Sequence, residues 1–229
     1  MEINNNLVAI LEIGSTGVRL LVAETFANGT WRVLDQANKH ISLGRDVFTS
    51  GRVSRESVQE CLAVLRFFME LIDGWGVSEN NIHVLATSAL RAAKNRDMLV
   101  DMVLQKIGCK ISIVEGVEET RLIYLAVRYA MKNDLPLFWR ANSLIIELGG
   151  GSTEIMLLRR GKMVAAHSLK LGTIMVDQQL RLAMGSPGFQ ERYLNETIRN
   201  TTKLDNKTTF FIAFFFSLLI FKYITLLLT

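Results

Sequence analysis

The chain is poor in the residues that build zinc sites and disulfide frameworks. Its 229 residues include two cysteines, Cys61 and Cys109, and three histidines. The cysteines lack metal-type spacing and the histidines are scattered, which argues against a zinc site and against a disulfide scaffold. We therefore expect free, buried thiols in a reducing cytoplasm.

The sequence also lacks a nucleic-acid-binding stretch and a secretory signal. No block of lysine and arginine with interleaved aromatic residues occurs, although the net charge is +4, so no nucleic-acid partner is predicted. Residues 1–4 (MEIN) do not form a basic region followed by an apolar run, and a cytoplasmic location is expected. Apolar residues make up 49% of the chain, enough for a globular core.

The most informative feature is a pattern that occurs twice. Residues 7–13 and 143–148 are apolar runs typical of buried strands, and each is followed by a glycine-rich turn, at residues 14–17 and 149–152. After each turn come a second strand, a hairpin turn with glycine and a third strand. Helices and strands alternate between the two copies. The sequence therefore predicts an α/β protein with an internal duplication of about one domain in length.

Both glycine-rich turns are predicted to bind phosphate. Backbone N–H groups in such turns can converge on phosphate oxygens, because glycine allows the backbone a close approach. Serine and threonine hydroxyls add donors. A Walker A loop is excluded, since no Gly-Lys-Ser/Thr ending is present. The predicted phosphate-binding residues are Gly14, Ser15, Thr16, Gly149, Gly150, Gly151, Ser152 and Thr153.

Carboxylates accompany both turns. Glu12 and Glu147 stand at the ends of the preceding strands, and Glu154 follows the second turn. Carboxylates beside bound phosphates commonly hold Mg²⁺ or orient water, so these three residues are predicted metal ligands. The alternative is that they are strand-end residues that emerge into solvent. Glu118 and Glu119, which open a predicted helix, are equally compatible with a simple helix-dipole role.

Taken together, these segments resemble the exopolyphosphatase and guanosine-pentaphosphate phosphatase family. The order and spacing of the motifs agree over about residues 7 to 185. Each motif alone is weak, but the combination is specific. The matching stretches are residues 11–15 (LEIGS), 86–91 (ATSALR), 115–124 (EGVEETRLIY) and 146–154 (IELGGGSTE), with 171–173 (LGT) as a weaker signature.

The resemblance implies a fold and a mechanism. The fold is the actin-like, ribonuclease H-like duplicated α/β fold (ASKHA), with a complete first domain and an incomplete second one. Glu119 matches the general base that activates water for attack on a terminal phosphoryl group. Glu147 and Glu154 match positions that help to bind Mg²⁺ and position that water. Arg91 matches an arginine that neutralises phosphate charge.

The chain departs from the family pattern in three ways. The family usually has Asp where this chain has Glu12 and Glu147, which are one methylene longer. In the first turn, Thr16 and Gly17 replace Asn and Ser or Thr. Family members also need roughly another hundred residues to complete the second domain, according to the resemblance. The predicted domains are 1–128, 129–205, where the second domain begins, and an apolar tail at 206–229.

The tail has two interpretations. Residues 210–229 are nearly all apolar, and twenty helical residues would span a bilayer core, so a membrane anchor is one reading. An arbitrary peptide from a truncated or frameshifted gene is the other, because the composition changes where the resemblance fades. In either case, the tail is not expected to take part in the fold.

Three functions remain open at this point. The first is hydrolysis of the terminal phosphoanhydride bonds of inorganic polyphosphate or guanosine pentaphosphate, with Mg²⁺. The second is an ATP-dependent kinase of the same superfamily, against which the Glu118-Glu119 motif argues. The third is an inactive, phosphate-binding fragment. The choice between the two phosphatase substrates and the existence of a homodimer are also open.

Overall fold

The computed structural model describes residues 6–131, 140, 142–182, 188, 191–192 and 211–214. The chain divides between Tyr129 and Ala130 into two compact units. The described strands form one five-stranded sheet and one four-stranded sheet. The first belongs to unit 1, before the division, and the second belongs to unit 2, after it.

Unit 1 alternates strands and helices around its sheet. The strands are ordered β3-β2-β1-β4-β5. β1 is antiparallel to β2 and parallel to β4, which in turn is parallel to β5. The strands are β1 Leu7–Ile13, β2 Gly17–Thr25, β3 Trp31–His40, β4 Ile82–Ala86 and β5 Ile111–Ile113, and the helices are α1 Leu43–Ser50, α2 Arg55–Gly74, α3 Ser88–Ala92, α4 Arg96–Ile107 and α5 Gly116–Ala130.

The sheet of unit 1 is covered on both faces. Every residue of β1 is buried, as expected of a central strand flanked by helices. Because side chains alternate along a strand, Leu11 and Ile13 pack into a large core that includes Leu65 and Phe68 of α2. The opposite face packs around Leu122 of α5. The continuous apolar run predicted as a buried strand is thus confirmed.

Several predicted elements have different bounds in the structure. The polar stretch up to about Val53, to which the sequence assigns no element, contains α1, whose two turns are too short to give a clear periodic signal. The sequence after residues 87–88 predicts one helix that ends at about Lys106, before Gly108; the structure has two helices there, α3 and α4, separated at residues 93–95. Ser54 and the apolar spacing after it predict a capped helix; α2 begins at Arg55, and the Ser54 side chain accepts a hydrogen bond from the Ser57 amide.

Unit 2 repeats the start of unit 1. β6 (Asn142–Leu148) is antiparallel to β7 (Thr153–Arg159), which is antiparallel to β8 (Lys162–Leu169). The helix α6 (Thr173–Leu182) follows. The order β8-β7-β6 matches β3-β2-β1 of unit 1, so the predicted duplication is present in the strand topology.

Part of the predicted tail is a strand, which corrects the expectation that the tail takes no part in the fold. β9 (Phe211–Phe214) pairs in parallel with β6, with Ser143 opposite Phe211 and Ile146 opposite Phe214. It thus lies beside β6 as β4 lies beside β1. A short apolar segment such as β9 suits a buried parallel strand as well as part of a helix.

Among the residues that the structure describes, no helix is long and apolar enough to cross a membrane. Pro136 predicts a connector between the two copies of the pattern; it lies outside the described part of the chain, as do residues 206–210 and 215–229 of the tail.

Candidate functional site

The parallel strands of unit 1 end at one edge of the sheet. β1 ends at Ile13, β4 at Ala86 and β5 at Ile113. The residues that follow are the first glycine-rich turn, Thr87 with α3, and the start of α5. Ligands of open α/β sheets bind at the carboxyl ends of the strands. The predicted unit 1 residues therefore lie at the edge where a binding site is expected.

The first glycine-rich turn is closed by its own backbone. The Gly14 amide donates to the Gly17 carbonyl over 2.9 Å. A Cβ atom on Gly17 would lie 2.8 Å from the carbonyl oxygen of Lys39 in β3, so this strand leaves no room for a side chain. In this chain, therefore, a side chain at position 17 would require β3 to move.

The turn is joined to the start of α3. The hydroxyl groups of Ser15 and Ser88 are hydrogen-bonded at 3.0 Å. Ser15 and the neighbouring Thr87 are both buried. Two of the stretches that carry the family resemblance therefore meet through their hydroxyl groups.

Arg91 and Glu119 form an ion pair. The Arg91 Nη1 atom lies 2.8 Å from Glu119 Oε2, and the two side chains are 20% and 10% exposed. The same Nη1 donates to the Val114 carbonyl over 2.6 Å. α3 supplies the arginine and the first turn of α5 supplies the carboxylate. The structure thus brings together the predicted general base and the predicted phosphate-neutralising arginine.

Glu12 is paired with an arginine that the sequence analysis did not single out. Glu12 lies directly opposite Arg19 in the β1–β2 register, and Arg19 Nη1 is 2.9 Å from Glu12 Oε2. Glu12 is buried. Arg19 follows Glu12 by seven residues, and counting the register of the hairpin across the turn would have found it. The predicted role of Glu12 as a metal ligand stays a prediction.

The second glycine-rich turn has the same hydrogen bond as the first. The Gly149 amide donates to the Ser152 carbonyl over 2.8 Å, so Gly149 and Ser152 correspond to Gly14 and Gly17. The turn is held by the helix that follows. The carbonyls of Gly149 and Gly150 each accept an amide hydrogen bond of 3.0 Å from the first residues of α6.

Gly172 explains the weaker signature at residues 171–173. A Cβ atom there would overlap the backbone of Gly150 and Gly151, and the Thr153 hydroxyl donates to the Leu171 carbonyl. The glycine is therefore required for α6 to approach the turn. Unit 1 has a comparable contact, since the Gly44 amide of α1 donates to the Ser15 carbonyl over 2.8 Å.

Glu147 and Glu154 face each other across β6 and β7. They are register partners in the antiparallel pair and are 5% and 2% exposed. The Ser168 hydroxyl on β8 donates to Glu154 Oε1 over 3.0 Å. Like charges directly opposite one another destabilise a sheet. A divalent cation would relieve the repulsion, so this pair fits Mg²⁺ in its donor chemistry.

A second observation bears on whether this pair could hold Mg²⁺. In the described part of the chain, no three carboxylate, histidine or cysteine side chains group together as a metal cluster. Mg²⁺ characteristically keeps several waters and takes one or two carboxylates together with substrate phosphates. A pair of carboxylates is therefore a sufficient protein contribution for this ion.

The comparisons with known proteins decide the family. The model of the Ppx/GppA phosphatase family matches residues 21–192, well over half of the chain. The chain belongs to the Ppx/GppA phosphatase family. The resemblance predicted from the motifs is thus confirmed.

Two curated proteins are similar to this chain over about three quarters of its length. The chain is 29% identical over 168 residues to a guanosine-5'-triphosphate,3'-diphosphate pyrophosphatase of Pseudoalteromonas atlantica, covering 73% of this chain and 32% of the relative. It is 28% identical over 187 residues to a bifunctional 3-dehydroquinate synthase/phosphatase of Fusobacterium nucleatum, covering 78% of this chain and 27% of the relative. The chain spans less than a third of either relative.

Solved structures agree on the fold. The crystal structure of the Ppx/GppA family member of Aquifex aeolicus is 25% identical, with a TM-score of 0.69 over 91% of this chain and 65% of that one. An exopolyphosphatase from Cytophaga hutchinsonii is 20% identical, with a TM-score of 0.74 over 86% and 61%. The predicted α/β, actin-like fold class is confirmed.

Proposed function

We propose that the chain is the part of a Ppx/GppA phosphohydrolase that supplies the catalytic base and the phosphate-binding turns. The reaction is hydrolysis of the terminal phosphoanhydride bond of inorganic polyphosphate or guanosine pentaphosphate. The names of the relatives, a guanosine-5'-triphosphate,3'-diphosphate pyrophosphatase and an exopolyphosphatase, support these two substrates. The observation that carries the proposal is the Arg91–Glu119 pair.

Glu119 acts as the general base. Its carboxylate accepts a proton from water while the water oxygen attacks the terminal phosphorus. The bond from that phosphorus to the bridging oxygen breaks, and inorganic phosphate leaves. The position of Glu119 supports this role, because it is buried in the first turn of α5 and held at 2.8 Å by a side chain from another helix. A held carboxylate requires little reorganisation during the reaction.

Arg91 shares its guanidinium between the base and the substrate. One nitrogen, Nη1, already contacts Glu119 and the Val114 carbonyl. A guanidinium has five N–H donors in a planar fork, so other N–H groups can bond phosphate oxygens. Phosphoryl transfer depends mainly on positioning and charge stabilisation, and Arg91 supplies both.

The glycine-rich turns bind phosphate oxygens. The Gly14 and Gly149 amides close the turns, so the donors are the amides of residues 15 and 16 with the Ser15 hydroxyl in unit 1, and the amides of residues 150–153 in unit 2. Rigid turns support this role, because a binding loop that is already ordered loses little entropy when the ligand arrives. Both turns are fixed by an internal hydrogen bond and by contact with a following helix.

Glu147 and Glu154 are the proposed Mg²⁺ ligands. Their cross-strand pairing and burial support this assignment. The ion, when bound, neutralises charge on the phosphate oxygens. Glu12 remains a third candidate ligand from the sequence, although its pairing with Arg19 favours a different role. A cytoplasmic location and a homodimer also stay predictions.

Phosphate release from the whole chain tests the proposal. Purified protein is incubated with Mg²⁺ and either long-chain polyphosphate or guanosine pentaphosphate. The whole chain is used because β9 pairs with β6. Glu119→Gln should reduce turnover by at least about 100-fold, the usual size of a general-base contribution. Glu118→Gln is the matched control, since Glu118 is 42% exposed and pairs with Arg121 on the surface.

The outcomes separate the alternatives. Unchanged turnover in Glu119→Gln, or an equal loss in Glu118→Gln, would remove Glu119 from the mechanism. Phosphate transfer from ATP to an acceptor would favour a kinase. Binding of polyphosphate by a folded chain that releases no phosphate would indicate a phosphate-binding fragment.

A further inference from the structure

A closed circuit of contacts links the first glycine-rich turn with α1, α3 and the segments that follow these two helices. The first glycine-rich turn bonds α1 through the Ser15 carbonyl and the Gly44 amide, and it bonds α3 through the hydroxyl groups of Ser15 and Ser88. The segments that follow α1 and α3, residues 51–53 and 93–95, are also bonded to each other. We call this closed set of contacts the frame.

The junction between the two segments depends on one side chain. Asn95 Oδ1 accepts from the Val53 amide, and Asn95 Nδ2 donates to the Val53 carbonyl, both over 2.9 Å. The Asn95 amide group therefore satisfies both polar backbone groups of a residue 42 positions earlier in the chain. The Lys94 amide adds a bond of 2.9 Å to the Gly51 carbonyl.

α3 needs this external support. It has five residues, and a helix of one and a half turns is unstable alone because nucleation is costly. Its apolar anchors are the buried Ala89 and Leu90. Beyond them, its C-terminal end is held by the 93–95 segment and by Arg96, which donates to the Arg91 carbonyl over 3.3 Å.

Arg91 lies on α3, one of the helices that the frame joins. Its guanidinium must satisfy two acceptors at once, the Val114 carbonyl at 2.6 Å and Glu119 at 2.8 Å. Such a double contact tolerates only small movement of α3, since hydrogen bonds weaken rapidly beyond their normal lengths. The Asn95–Val53 clamp fixes the chain four residues after Arg91 and therefore limits that movement.

We propose that Asn95 is a positioning residue for the Arg91–Glu119 pair. The inference rests on the proposed function in so far as this pair performs the reaction. Asn95 acts through backbone geometry: it fixes the end of α3, which places the guanidinium against Glu119. Misplacement of a catalytic group by about 1 Å can cost about 100-fold in rate, so loss of the clamp reduces turnover more than it reduces substrate binding.

The test compares two asparagines that each bond backbone. Asn95→Ala removes the clamp. Asn81→Ala is the control, because Asn81 Nδ2 donates to the Leu7 carbonyl over 3.0 Å at the start of β1, the opposite end from the site. Asn95→Asp keeps the acceptor for the Val53 amide but replaces the donor that faces the Val53 carbonyl, and it should fall between wild type and Asn95→Ala.

Two readouts are used. In phosphate release at a temperature where all variants are folded, Asn95→Ala should lower kcat about 10- to 100-fold with a small change in KM, while Asn81→Ala stays near wild type. In NMR spectra of arginine side-chain N–H groups, the Arg91 signal, assigned by its loss in Arg91→Lys, should be sharp in wild type and Asn81→Ala and lost in Asn95→Ala.

The two readouts distinguish a failure of the proposed function from a failure of the inference about Asn95. A wild-type chain without turnover would sink the proposed function, but the NMR comparison would still decide whether Asn95 positions the pair. An unchanged Arg91 signal in Asn95→Ala would overturn the inference, as would equal effects of the Asn95 and Asn81 substitutions on kcat.

Discussion

One substitution, made at two corresponding positions, should have opposite effects on stability. Glu12 and Glu147 each stand two residues before the first glycine of a closed turn, and each faces a register partner across its hairpin. The partner is Arg19 in unit 1 and Glu154 in unit 2. Changing glutamate to glutamine therefore removes an attraction in the first hairpin and a repulsion in the second.

The expected magnitudes follow from these pairs. Glu12→Gln loses the charge in a 2.9 Å contact with Arg19, whose side chain is 24% exposed, and a hydrogen bond to a charged group contributes about 1.5–3 kcal/mol. Partial hydration of Arg19 lowers this to a loss of about 1–2 kcal/mol. Cross-strand partners have Cβ atoms about 5 Å apart, and two unit charges at that separation repel by about 3 kcal/mol at an effective dielectric constant of about 20.

Glu147→Gln removes that repulsion but also alters the hydrogen bonding of the pair, which offsets part of the gain. Without a divalent cation, the substitution should therefore stabilise the folded state by about 1–2 kcal/mol. With Mg²⁺ present, the order of stability among the wild type and the two variants changes. An ion at one hundred times its Kd stabilises the folded state by about 2.7 kcal/mol. This gain should occur in wild type and in Glu12→Gln, and it should be absent in Glu147→Gln.

Hydrogen exchange measured by mass spectrometry is the suitable assay, because the two units need not unfold together. Peptides from β1–β2 and β6–β7 report the two hairpins separately, with and without Mg²⁺ at constant ionic strength. Destabilisation by both substitutions in the absence of Mg²⁺ would refute the electrostatic reasoning. Protection of wild-type β6–β7 by Mg²⁺ that persists in Glu147→Gln would refute the assignment of Glu147 as a metal ligand.

Three other predictions use stability and thiol chemistry. Gly172→Ala should cost about 2 kcal/mol or more in urea unfolding because its Cβ meets backbone, whereas Gly116→Ala, with open space around it, should be neutral; equal effects would contradict the packing account. Burial raises the pKa of Asp46, but hydrogen bonds from Ser54 and Ser57 outweigh it and leave that pKa lowered from 3.8. Asp46→Asn should therefore destabilise at neutral pH, and its deficit should shrink as the pH falls through the lowered pKa; a deficit that grows in acid would exclude this. Burial raises the pKa of Cys61 to about 12, so in a Cys109→Ser background a thiol reagent should label Cys61 only on unfolding, and fast native labelling would show an open site.

The strands and the duplication could be predicted because their signals are local. A continuous apolar run followed by glycines indicates a buried strand and a turn, and both copies of this pattern are present in the structure. α1 has only about two turns, so it contains too few apolar positions to show a helical period. β9 was missed because it lies inside a long apolar run, and the length of such a run favours a membrane-spanning helix.

Sequence motifs predict some residues of the site. Other residues are brought there by strand register or by contacts between distant parts of the chain, which the motifs do not indicate. The family motifs contain both Arg91 and Glu119, although only the structure shows the ion pair. Arg19 belongs to no quoted motif, and its importance comes from the hairpin register that places it opposite Glu12. Asn95 bonds a backbone segment 42 residues away, a contact that no periodicity or spacing indicates.

The duplicated hairpins also limit what a glycine-rich turn can reveal. The two turns share their closing hydrogen bond and the preceding glutamate, and on glycine content alone both predict the same ligand. The residue seven positions after that glutamate is Arg19 in one hairpin and Glu154 in the other. The first hairpin therefore balances its charge internally, while the second gathers two buried carboxylates. Mg²⁺ takes carboxylate oxygens as ligands, so the residue on the second strand, rather than the turn, is what favours a metal ion in one hairpin over the other.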